Sequence, residues 1–440
     1  MLGPVTDAGA RATRIVDVLT AEFGAGIAAD PAAFRRKFRK MAASPFAFYR
    51  GSACLFYADL AEEDPSAKYL NEQTSRVWIH GDLHAENFGS YMNAHGVYVF
   101  NVNDFDEAYV GPFTWDLMRF AASVALIGYA KALSDAAITG LVEGFAHSYL
   151  SELRALAAGG DDAIGSLTLD NTSGPLHEAL QRARLRTRVS LLDAQTTIEN
   201  YDRRFTVADG VFPIDSVTAE AVREAFAAYL ATLPAAQTRR QSEYTIKDIV
   251  LRKGVGIGSA GLPSYNLLLE GPTQALENDV IIYMKQAQAP AVSRVIDDER
   301  VRGYFTDQGH RTAESQRALQ AYADPWLGHT QLGGIGQLVA EVSPYATDLD
   351  WSELSEPDDV RQVITYLGRA AARMHSVADD ESSHDLVTFS TEEAIAAQIG
   401  GDDEGFATML AEFAHSYGEK ARQDHQIFVD LFRNEMLPTR

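Results

Sequence analysis

The sequence contains one cysteine, Cys54, and is short of positive charge: 38 Lys and Arg stand against 61 Asp and Glu, for a net charge of −23. A single cysteine excludes an intrachain disulfide, and with it a disulfide-stapled secreted fold. The shortage of Lys and Arg excludes an extended nucleic-acid-binding face, because phosphate backbones recruit cations. Long apolar runs are missing too. The longest helical one, Phe120 to Ala130, lies between Arg119 and Lys131 and is too short to span a bilayer. Met1 to Ala10 lacks the basic-then-apolar pattern of a signal peptide. Internal repeats and low-complexity tracts are absent. These absences predict a soluble cytoplasmic protein without nucleic-acid or membrane partners. The chain of 440 residues is long enough for a large core divided between two or more lobes.

The pattern along the chain divides it into four parts. Residues 1–75 read as helical and irregular. Phe34, Phe38 and Met41 recur at helical spacing, with Arg35, Arg36, Lys37, Arg39 and Lys40 between them, which reads as a solvated basic face or a docking point for an anion. Residues 76–242 begin with strands, including Phe88–Met92 and Val97–Val102 around an Asn93–Gly96 turn, and continue as helices to about Leu233. Residues 243–345 read as a small β-rich unit. Its strands are Tyr244–Leu251, Tyr265–Leu269, Val280–Met284 and Gln337–Val342, with one helix at Thr312–Tyr322. Residues 346–440 are helical. In 358–376, Val360, Val363, Ile364, Leu367, Ala370, Ala371 and Met374 share one face. Ser355 with Asp358 predicts a capping box, and Pro357 fits the first turn.

The chemistry concentrates in His80-Gly81-Asp82-Leu83-His84-Ala85-Glu86-Asn87 and Asn103-Asp104-Phe105-Asp106. Each follows an apolar, strand-like run. An Asp and an Asn five residues apart, with a second Asp beyond, is the layout of a phosphoryl-transfer site. Asp82 is expected to orient the attacking hydroxyl. Asn87 and Asp104 are expected to hold Mg2+, a hard ion that prefers oxygen, with Asp106 as a further ligand or a solvated loop acid. Asp82-Leu83-His84 also matches the opening of binuclear metallophosphoesterases, but their later Gly-Asp-x-x-Asp and Gly-Asn-His motifs do not occur. His80 reads as a structural residue of the loop and His84 as one that faces substrate. Asp116 reads either as support for the loop or as a simple helix cap.

A second cluster comprises Gly256, Gly258, Ser259 and Gly261, in the pattern G-x-G-x-x-G. A strand-like segment follows it where a dinucleotide-binding unit needs a helix, so the expectation is a glycine loop between strands that covers phosphates. Lys285 ends the next strand and is expected to neutralise phosphate charge if an acid on a neighbouring helix holds it. Glu314 and Glu299 are the two candidates.

At these residues the chain resembles aminoglycoside phosphotransferases and other protein-kinase-like enzymes, whose catalytic loop reads H-G-D-x-x-x-x-N. Trp115-Asp116-Leu117 matches a segment that follows their metal loop. The whole chain is similar to the bacterial domain-of-unknown-function 2252 family, grouped with the same superfamily. The motifs that carry this likeness are Phe48-Tyr49-Arg50-Gly51, Gly81 to Gly89, Asn103 to Ala108, Gly256 to Gly261 and Leu367 to His375. The resemblance implies an α+β, two-lobed kinase-like fold with a small β-rich lobe and a large helical lobe. It implies an ATP- and Mg2+-dependent phosphotransferase with a small-molecule acceptor favoured. A protein kinase, an AMP transferase and a nucleotide-binding pseudokinase are the alternatives. The motif order is reversed relative to such enzymes, since the catalytic loop precedes the glycine loop and the long helix at 358–376 comes last. A circular permutation is therefore expected. The hinge then falls near Glu341-Val342-Ser343-Pro344, whose backbone is expected to read adenine, and residues 1–75 enter beside the cleft, where Arg50 meets an anionic group or pairs with a structural acid. The sequence carries no mark of the acceptor's identity or of oligomeric state.

Overall fold

The computed structural model describes residues 7–160, 167–233, 245–253, 261–379 and 385–438. The chain opens with four helices, α1 (Ala8–Ala29), α2 (Pro31–Met41), α3 (Pro45–Gly51) and α4 (Ala53–Leu60). Asp7, Asp30 and Ser44 start the first three by accepting backbone N–H bonds at their N-termini. Strands β1 (Val77–Ile79), β2 (Phe88–Met92), β3 (Tyr98–Val102) and β4 (Tyr109–Gly111) follow. β1 pairs with β4, and β2 pairs with β3 across the expected turn, with Gly96 at φ +73°. Next come α5 (Phe113–Ala130), α6 (Asp135–Ala157), α7 (Gly174–Ala183) and α8 (Arg188–Gln195).

A sheet then forms from β7 onward. After the hairpin β5 (Thr196–Glu199) and β6 (Asp202–Phe205) come β7 (Val211–Pro213), α9 (Ser216–Tyr229), β8 (Ile246–Arg252), β9 (Ser264–Leu269) and β10 (Val280–Gln286). These are followed by α10 (Glu299–Tyr304), α11 (Gln308–Leu319), β11 (Gly328–Leu332), β12 (Ile335–Glu341) and β13 (Thr347–Asp348). The chain ends with α12 (Pro357–Val377), α13 (Thr391–Ile399) and α14 (Asp403–Arg433). Six strands make an antiparallel sheet in the order β11-β12-β10-β9-β8-β7, and β13 extends the β2-β3 pair.

The six-stranded sheet is covered on both faces, as period-2 alternation requires. Leu267, Leu269, Ile282 and Met284 pack against Val222, Phe226 and Tyr229 of α9. Leu268 and Ile281 face Leu192 of α8 and Phe205 of β6. Ala313 of α11 packs with Leu338 and Ala340. The remaining helices and β1–β4 share one large core in which the apolar stripe of α12 is buried. The architecture is α+β, with a sheet-containing lobe beside a helical body.

Three local expectations are corrected. Residues 196–213 are strands rather than helix, because the edges of β6 and β7 are completed by pairing with β5 and β8. The sheet accordingly recruits β7 and α9 from before the boundary expected at residue 243. The capping box at Ser355 does not form: Glu356 is the N-cap of α12 and makes no side-chain cap bond, while Pro357 takes the first turn.

The first and last helices are tied by a buried ion cluster. Arg11 of α1 donates to Asp59 of α4 at 2.7 Å and to Asp424 of α14 at 2.8 Å, and Lys420 lies 3.2 Å from Asp59.

Candidate functional site

The loop after β1 is fixed by buried polar groups. Asp116, in the first turn of α5, accepts the backbone N–H of His80 at 2.6 Å and that of Gly81 at 2.9 Å. It is therefore loop support and not a helix cap. His375, near the end of α12, reaches Asp116 at 3.3 Å and Tyr149 at 2.9 Å. The long helix thus ends beside the start of the loop after β1. Gly81 has φ +75°, and a Cβ there would overlap the Glu107 carbonyl oxygen. His80 Nε2 bonds to the carbonyl of Asn103 at 2.7 Å, and His80 Nδ1 accepts the Asp82 N–H at 3.2 Å. Both bonds are satisfied when the ring proton sits on Nε2.

Asp82 is brought against Arg119, a residue that sequence reasoning missed. Arg119 Nε donates to Asp82 Oδ1 at 2.6 Å, and its guanidinium lies over the rings of Tyr49 and Phe56. Burial works against the Arg119 charge, but Asp82 outweighs it and holds the group protonated above its usual range. The signal for Arg119 was its position, a lone cation inside an apolar helix three residues after Asp116.

Asn87 Nδ2 donates to the Asp82 carbonyl at 2.8 Å, which leaves Oδ1 as the atom for a cation. The Asn103 N–H bonds to the Asn87 carbonyl at 2.9 Å, so the two acidic loops are stitched together. Asp104 adopts the left-handed conformation at φ +62°. Burial raises its pKa, and the neighbouring charge of Asp106 raises it further. Among the described residues, no group of three or more His, Cys, Asp or Glu forms a metal cluster. The donor set still suits magnesium. The amide of Asn87 and the carboxylate of Asp104 are hard oxygen donors, and a cation would relieve the repulsion that pushes Asp104 up. Magnesium commonly takes only one or two protein carboxylates and completes its shell with phosphates and water.

Lys285, at the end of β10, ion-pairs with Asp106. Residues from the two halves of the chain therefore meet. This pair replaces the expected one. Glu314 is held by Arg317 at 2.5 Å, and Glu299 is exposed at the start of α10. Gln316 of α11 and Gln320, which caps its C-terminus, border the cleft. Deeper in, Arg311 donates to the carbonyls of Ala108 at 2.6 Å, Asp106 at 2.7 Å and Gln288 at 2.9 Å. Arg311, also unforeseen, pins the loop after β3 to the segment after Lys285. Asp106 is thus the counter-ion of Lys285 rather than a solvated loop acid.

Asp104, Asp106 and Lys285 line a cleft of about 610 Å³ whose far wall includes Glu341 and Val342. The expected hinge borders this cleft. Its amides are already used: the Glu341 N–H bonds to Asp324 at 2.8 Å and the Val342 N–H to the Ile281 carbonyl at 2.8 Å. The Glu341 side chain pairs with Arg188 at 2.6 Å. β8 and β9 pair antiparallel, with Arg252 opposite Ser264 at one end of the ladder. Gly256, Gly258 and Ser259 lie outside the described residues, and Gly261 follows at φ +79°.

Two residues expected to meet substrate are otherwise engaged. His84 is 1 % exposed, packed on Phe46, with Nε2 at 3.7 Å from Asp82. Burial, then Arg50 and Arg119, hold it well below its usual pKa. Arg50 pairs with Glu86 at 2.5 Å, the structural-acid alternative. Arg50 also borders both a small cavity beside Asp82 and an open groove of about 740 Å³ that includes Arg182, Arg186 and Trp351.

No helix among the described residues is long and apolar enough to cross a membrane. No curated protein and no solved structure matches the chain significantly. A family model described as an uncharacterized protein conserved in bacteria, DUF2252, matches residues 29–431, and the chain belongs to that family.

Proposed function

We propose that this chain is an ATP- and magnesium-dependent phosphotransferase on a circularly permuted, kinase-like fold. The observation that carries the reading is the Lys285–Asp106 pair at the edge of the large cleft, with Asp104 beside it. A triphosphate entering there meets an ammonium from the sheet lobe and oxygen donors from the loops after β1 and β3. The end of α12 at Asp116 supports the permutation, since the long helix reaches the loop it would precede in an unpermuted chain.

Asp82 orients the acceptor hydroxyl and takes its proton, and Arg119 fixes the carboxylate's position. Asn87 Oδ1 and Asp104 hold magnesium, which when bound neutralises charge on the phosphates. Lys285 exchanges Asp106 for phosphate oxygens. Because the amides of Glu341 and Val342 are bonded within the protein, purine contact falls to Ser343, Tyr345 and Ala346, which line the same cleft. The acceptor, a small molecule bearing a hydroxyl, approaches along the groove bordered by Arg50. The test is ATP consumption with a metabolite pool, for the wild type and Asp82→Ala, with products weighed by mass spectrometry. Consumption by the wild type alone is expected, with phosphate added to the product. AMP added instead would make the protein a nucleotidyl transferase. Equal turnover in both proteins would remove Asp82 from the mechanism.

A further inference from the structure

Of the five basic residues on α2, four are exposed, and Lys37 is 5 % exposed. Its ammonium lies 3.9 Å from the centre of the Phe23 ring. Among the described residues it makes no hydrogen bond and no ion pair. The acids around it have other partners: Glu22 pairs with Arg294, Glu107 accepts the Ala291 N–H, and Asp82 is held by Arg119. A buried cation without a counter-ion is costly, and an arriving anion offsets that cost.

Lys37 lines a cavity of about 60 Å³ together with Asp82, Asp104, Asp106 and Arg50. That is room for roughly a few waters or one tetrahedral oxyanion. Of the acids on its wall, Asp82 pairs with Arg119, Glu22 pairs with Arg294 and Glu107 accepts the Ala291 N–H, while Asp104 and Asp106 face the magnesium and the Lys285 ammonium that arrive with or meet the phosphates. One turn before Lys37, α2 also meets the end of the glycine run: a Cβ on Gly261 would stand 3.3 Å from Ala33 and 3.6 Å from Phe34. The same helix therefore lies against Gly261 and, through Lys37, shares a cavity with Asp82, Asp104 and Asp106.

Resting on the phosphotransferase reading above, we propose that Lys37 binds the terminal phosphoryl group of the nucleotide in the cavity between Asp82 and the Asp104–Asp106 loop. The N-terminal helices thereby complete the active site. Burial lowers the pKa of Lys37 in the absence of ligand, while Cys54 and the nearby acids act in the opposite direction. This agrees with a cation that is underused until an anion arrives.

Calorimetry with magnesium and either ADP or a non-hydrolysable ATP analogue tests this on the wild type, Lys37→Met and Lys37→Gln. A charge-assisted bond to phosphate predicts that both variants keep ADP affinity and lose about ten- to a hundredfold for the analogue. Unchanged analogue affinity, or equal losses for both nucleotides, overturns the proposal while sparing the phosphotransferase reading. If the variants lose only inorganic phosphate from the ADP-loaded protein, the anion belongs to the acceptor, and the assignment to the nucleotide is overturned. A wild type that binds neither nucleotide overturns both readings. Should the variants fail to fold, a crystal structure of the wild type with the analogue decides. Lys37 Nζ within about 3 Å of a terminal phosphoryl oxygen supports the proposal, and a longer separation refutes it.

Discussion

Removing the Arg119 guanidinium tests whether Asp82 is held in place by a buried charge pair. In Arg119→Met the side chain keeps its bulk among Tyr49 and Phe56 but loses the bond to Asp82 Oδ1 at 2.6 Å and the one to the Tyr49 carbonyl at 3.2 Å. Breaking a buried pair by removing one partner costs about 3–5 kcal/mol, largely because the remaining charge is stranded. Asp82 is 17 % exposed and can draw in some water, so the lower end, about 3 kcal/mol, is expected. Asp82→Asn keeps the shape and an acceptor oxygen, and removing its charge alone leaves Arg119 stranded. The double variant strands neither charge. A cycle of urea unfolding curves should therefore give a coupling of about 2 kcal/mol between the two sites. Costs that simply add, within about 0.5 kcal/mol, would mean that Arg119 holds the fold through its aromatic contacts alone and does not position Asp82.

Other perturbations test separate parts of the structure. Gly81→Ala should destabilise the protein by at least about 1–2 kcal/mol, since the left-handed backbone and the Glu107 carbonyl both oppose a Cβ; a variant with wild-type melting would refute the loop geometry, and under the proposed phosphotransferase reading the variant consumes no ATP. Arg11→Met should cost about 3–5 kcal/mol in chemical denaturation by stranding Asp59 and Asp424, and a loss under about 1 kcal/mol would show that α1 is not anchored through this cluster. Cys54 is buried and its thiol pKa is pushed up by burial, so at mildly alkaline pH the thiolate fraction falls below that of a free cysteine. A chromogenic thiol reagent should therefore react only after unfolding, and rapid reaction with the native protein would contradict the packing around α4.

Much of the local structure is legible because it rests on backbone period. The stripe Val360 to Met374 fixes α12 and its buried face, and the apolar runs at 265–269 and 280–284 fix β9 and β10. The hairpin β5–β6 escaped because Thr196–Glu199 and Asp202–Phe205 carry too few apolar residues to show alternation. Their order comes from each other and from neighbouring β8.

The candidate site divides in the same way. Asp82, Asn87, Asp104 and Lys285 stand out in the sequence because each follows a strand-like run at a chemically meaningful spacing. Their partners do not. Lys285 takes Asp106 rather than Glu314 because Glu314 lies within reach of Arg317, while the loop after β3 swings Asp106 against the end of β10. Arg311 looks like a surface cation until tertiary packing surrounds it, and Arg119 shows only as a lone cation in an apolar helix, with nothing to mark Asp82 as its partner. Lys37 differs from its four basic neighbours only in facing inward. By itself the sequence determined which elements form and which residue types their ends carry, because both depend on neighbours along the chain. Only the tertiary structure decided which charges are buried and what they face, because those depend on segments hundreds of residues apart meeting in space.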